Sequence, residues 1–78
     1  MGAWRPAHDE AGAMCRNAAI ELEDVEDRIR SKLQQPEFIP LQPQTRIGIE
    51  LALQKIRAAA AELHQAADDF YREEAKTW

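Results

Sequence analysis

At 78 residues and 8.9 kDa the chain has room for one small domain, which as a monomer buries only ~60% of its unfolded surface and would gain from a partner. A single cysteine excludes an internal disulfide framework, and a formal net charge of −4 speaks against a generally basic nucleic-acid binder. No apolar run approaches the ~18 residues of a membrane span and no signal-peptide pattern opens the sequence, so a cytoplasmic protein without membrane contact is expected.

The first element is a helix over about residues 7–35. Proline at position 6 suits a first turn, and Asp9 and Glu10 favour the positive end of the helix dipole. Ala11, Cys15, Ala18, Leu22, Val25, Ile29 and Leu33 recur in steps of three and four, the spacing of a coiled-coil seam. Gly12 interrupts this helix at a cost of roughly 1 kcal/mol against alanine, so fraying of its first turns is expected.

A connector follows at 36–43, where Pro36, Pro40 and Pro43 break the hydrogen-bond ladder and bias their predecessors to extended geometry. Phe38, Ile39 and Leu41 put apolar side chains into this otherwise polar stretch. They either fold back over the end of the helices or stand as a stiff epitope for a partner's groove.

The second helix covers about 44–76, opened by Pro43 as first residue or by Thr45 as N-cap. Ile49, Leu53, Ile56, Ala60, Leu63, Ala67 and Phe70 keep the seam spacing without a miss, and fourteen alanines in the chain favour helix. Two helices of similar length and a short connector predict an all-α, antiparallel two-helix hairpin, in which facing residues have numbers summing to roughly 79. Leu22, Val25, Ile29, Leu53, Ile56, Leu63 and Phe70 are its expected core. Ala52, Ala59 and Ala66 form a second file, with Ile47 and Leu51 beyond it, and Ala19 and Ile20 widen the first helix. A stripe this broad predicts a homodimer forming a four-helix bundle.

Charge is distributed unevenly. Between Arg28 and Arg57 stand six basic and two acidic residues, and elsewhere four basic and twelve acidic ones. A hairpin gathers the basic set at the connector end, and an antiparallel pair of hairpins then lays basic ends beside acidic ones. The expected function is that of a small non-enzymatic adaptor or regulatory protein. It self-associates and presents a tip of Phe38, Ile39 and Leu41, rimmed by Arg28, Arg30, Lys32 and Arg46, to a protein partner. The alternative is an accessory nucleic-acid-binding regulator using Arg28, Arg30, Lys32, Arg46, Lys55 and Arg57.

Chemistry has weaker candidates. Cys15 falls near Leu63 and His64 in the hairpin, with Asp68 one turn on, but one cysteine and no ligand spacing make no metal signature. Asp68, Asp69, Glu73 and Glu74, with Asp9 and Glu10, read as solvated acidic surface. Neither a metal nor a cofactor is expected. Trp4 and Trp78 come to the same end as Phe70 and Tyr71, as a closing cluster or an adhesive patch.

Overall fold

In a computed structural model, residues 6–76 are described, with side chains for 9–73; Trp4 and Trp78 lie outside these residues. Helix α1 spans Pro6–Leu33, a 3-10 turn spans Pro36–Phe38, and helix α2 spans Pro43–Lys76. The two helices pack against each other as a hairpin, the described residues contain no strand, and the Cα atoms fill a rod of 63 × 17 × 12 Å.

Helix α1 stops two residues before the expected Gln35. The last amides tighten to 3-10 geometry, Gln34 N–H donating to Ser31 O at 3.2 Å and Gln35 N–H to Lys32 O at 3.1 Å. Gln35 is then extended, with φ −68° and ψ 146°, because the ring of Pro36 excludes the α region from its predecessor. Helix α2 opens on Pro43, whose missing amide would have had no partner there anyway. The first turn closes when Arg46 N–H donates to Gln42 O at 3.0 Å.

The line of contact on α1 differs from the expected seam. Its fully buried positions are Gly12, Ala19 and Glu26, seven residues apart, while Cys15, Ala18, Leu22 and Ile29 are half-buried and Val25 is 38% exposed. On α2 the buried file is Leu53, Ala60 and Ala67, which belongs to the expected set. Leu53 is the one large apolar side chain fully buried among the described residues; the expected core members Ile56, Leu63 and Phe70 are half-buried. The physical reason lies in side-chain size. Helix α2 settles on the edge of the apolar stripe, where glycine and alanine let two rods approach closely and where flanking charges can pair across the junction.

Gly12 is part of this seam. A Cβ built there would lie 3.1 Å from Tyr71 Cζ and 3.4 Å from Phe70 Cβ, so the missing side chain makes room for the tyrosine ring. Partners across the junction have numbers summing to slightly more than 79, as in Arg30 with Glu50 and Glu26 with Arg57. Helical side chains lean toward their own N-terminus, so in an antiparallel pair the residues that touch lie a little further along each chain.

Candidate interaction surfaces

Heptad spacing sorts each helix into parallel files, and the two sides of the seam differ in chemistry. On one side Arg16, Glu23 and Arg30 of α1 face Glu50, Arg57, His64 and Tyr71 of α2. The Arg16 guanidinium carbon sits 4.9 Å from the centre of the Tyr71 ring, and His64 Nε2 lies 3.3 Å from Glu23 Oε1. Arg30 donates from both terminal nitrogens to Glu50, at 3.0 and 3.1 Å, in a bidentate fork.

Glu26 joins these charges to the seam itself, with only 2% of its surface exposed. Arg30 Nε–H donates to Glu26 Oε2 at 2.7 Å, while Arg57 donates to Oε1 at 3.2 Å and approaches Oε2 at 3.0 Å. Both carboxylate oxygens are thereby satisfied, which a buried charge requires. The hydrogen bond from Arg30 holds the Glu26 carboxyl below the ordinary 4.5, outweighing desolvation, and Arg57 adds to it. Arg30 likewise lowers Glu50, and Glu50 first, then Glu26, raise Arg30.

The other side of the seam is apolar from end to end. Helix α1 contributes the files of Cys15, Leu22 and Ile29 and of Ala11, Ala18 and Val25. Helix α2 contributes Ile49, Ile56, Leu63 and Phe70 and, beyond them, Ala52, Ala59 and Ala66. All of these stay half-buried or exposed, and Met14 at the margin is 69% exposed. A shallow depression of about 200 Å³ opens on this side between Ala66, Asp69, Phe70 and Glu73.

The connector folds partly back. Phe38 and Leu41 are half-buried, Ile39 is 63% exposed, and Arg46 donates from one terminal nitrogen to Phe38 O at 2.8 Å and Ile39 O at 2.7 Å. The basic residues of the tip have varied fates. Arg28 pairs with Asp24, and Arg30 and Arg57 are joined to Glu26 as described. Lys32 and Lys55 are exposed and make no ion pair among the described residues. Arg28 and Lys32 flank an open depression of about 390 Å³ with Asp27, Ser31 and Gln35, all on α1.

Cys15 and His64 are not brought together: the cysteine belongs to the apolar side, whereas His64 belongs to the charged side beside Glu23. Asp68 is exposed, and no group of three or more His, Cys, Asp or Glu converges as a metal site among the described residues. No described helix is long and apolar enough to cross a membrane. Comparison with known family models, curated proteins and solved structures finds no match for this chain.

Proposed function

We propose that the protein is a small non-enzymatic interaction protein of the cytoplasm that self-associates face to face into a four-helix bundle and offers its connector tip to a protein partner. The observation that carries the reading is the unbroken apolar side, from Ala11 and Phe70 at one end to Ile29 and Ile49 at the other, left open while the opposite side is closed by charge pairs. A second hairpin of the same chain covers such a strip with the fewest new features, because a two-fold contact uses one patch twice. Exposed Ile39, stiffened by its proline neighbours and by Arg46, would lead contact at the tip, with Phe38 and Leu41 behind it and Arg28, Arg30 and Lys32 near the rim. The commitment of Arg30 and Arg57 to carboxylates weighs against a nucleic-acid role for the same residues.

Thermal unfolding over a range of chain concentrations tests self-association. An oligomer melts higher as concentration rises, and Leu22→Glu or Ile56→Glu should remove that dependence while helical content in the cold persists. A wild-type midpoint that ignores concentration contradicts the proposal.

A further inference from the structure

We infer that the second copy lies antiparallel across the apolar side, its connector beside the opposite end of the first hairpin. This rests on the self-association proposed above and adds its orientation. The orientation follows from the order of charges along the rim of the apolar side. On α1 the rim carries Glu21 near the middle, then Arg28, which also pairs with Asp24, and Lys32 toward the connector. On α2 it carries Lys55 on the connector half, then Glu62, Asp69 and Glu73. All of these are exposed, and Lys55 and Glu62 make no ion pair among the described residues.

Two faces of identical chains meet around a two-fold axis lying in the contact plane. If the axis runs along the rod, the hairpins are parallel and α1 faces α2 of the second copy. Arg28 then comes level with Lys55, so like charges meet in the connector half. If the axis runs across the rod, each helix faces its own copy in the opposite direction. Lys55 then comes within a turn of Glu62 of the second copy, twice by symmetry. Glu21 near its own copy is the one like-charge approach in this arrangement. Complementary rims fix orientation by penalising the alternative.

Side-chain volume agrees with charge. On α1 the connector half of the strip carries Leu22, Val25 and Ile29, whereas the other half carries Ala11, Cys15 and Ala18. On α1 the antiparallel arrangement sets Leu22, Val25 and Ile29 level with Ala18, Cys15 and Ala11 of the second copy, so large residues meet small ones, as close packing requires. It also brings Ile49 of the second copy level with the acidic-walled depression beside Phe70.

A spin label at position 48 tests the orientation. A Cβ at Gly48 would meet nothing within 4 Å, so Gly48→Cys in a Cys15→Ala background places a label in open space near the connector. Antiparallel copies hold the two labels at least about 35 Å apart along the rod, while parallel copies hold them within about 20 Å, some two helix diameters. Charge reversal gives an independent reading. In the antiparallel dimer Lys55→Glu faces Glu62 and should raise the dissociation constant about tenfold, with Glu62→Lys on the same chain restoring it. In the parallel dimer Lys55→Glu faces Arg28 and tightens association. A short label distance or tighter association overturns the orientation, whereas the mass of one chain at every concentration overturns self-association itself.

Discussion

Arg57 of α2 grips Glu26 of α1 with two nitrogens, Nε 3.2 Å from Oε1 and a terminal nitrogen 3.0 Å from Oε2, placing a fully paired charge in the seam of the hairpin. Replacing one partner leaves the other uncompensated, whereas replacing both with apolar groups need not destabilise. Glu26→Gln should therefore lower the resistance of the fold to urea more than Glu26→Leu combined with Arg57→Leu. The reverse order would show that the pair contributes little.

The same network sets the response to acid. The carboxyls of Glu26 and Glu50 are lowered by Arg30, so they bind protons less readily folded than unfolded. Their contribution is complete above the ordinary value of 4.5 and is lost as pH falls through the lower folded values. Unfolding followed by circular dichroism should show stability declining below that point, and Glu26→Gln with Glu50→Gln should flatten the decline. An unchanged slope in the double variant contradicts the assignment.

Leu53 is the only large apolar side chain wholly enclosed among the described residues, and the other buried members of its file are alanines. Leu53→Ala should cost about 2–5 kcal/mol by denaturant titration. Ala60→Leu should cost about 1–3 kcal/mol, because a longer side chain forces apart helices held close by small residues. A neutral Ala60→Leu would mean that the seam is loose.

The glycines of the two helices should respond differently to alanine. Gly48 has open space where a Cβ would stand, so Gly48→Ala should stabilise by about 1 kcal/mol through helix propensity alone. At Gly12 the new atom meets the Tyr71 ring, which also carries the Arg16 guanidinium 4.9 Å from its centre, and the gain should be smaller or reversed. Equal gains at both sites would remove the tyrosine contact.

Arg46 ties the connector to α2 through the carbonyls of Phe38 and Ile39. Arg46→Gln should destabilise by about 1 kcal/mol and speed amide exchange at Ile39 and Leu41, which donate within the connector to Pro36 and Phe38. Unaltered exchange would show the clamp to be dispensable.

Helix type, the reversal and the approximate register are legible in the sequence, because proline spacing and apolar periodicity report on local backbone preference. The line of contact on α1 is not legible in the same way. Leu22, Val25 and Ile29 make the stronger apolar signal, yet they mark the open side, while Gly12, Ala19 and Glu26 mark the junction. Hydrophobicity ranks faces by burial sought, whereas helix approach is decided by side-chain bulk and by which charges can pair across. The spacing of Glu26 and Arg30, four apart on α1, was a visible signal of the network. The roles of Arg57 and Glu50 needed the register of the folded hairpin.

Light scattering of the intact chain at micromolar concentration counts how many copies associate. A mass of twice 8.9 kDa, persisting at high salt because apolar contact dominates, is the predicted result. A mass of one chain at every concentration and salt would contradict it, since the apolar side would then stay uncovered in solution.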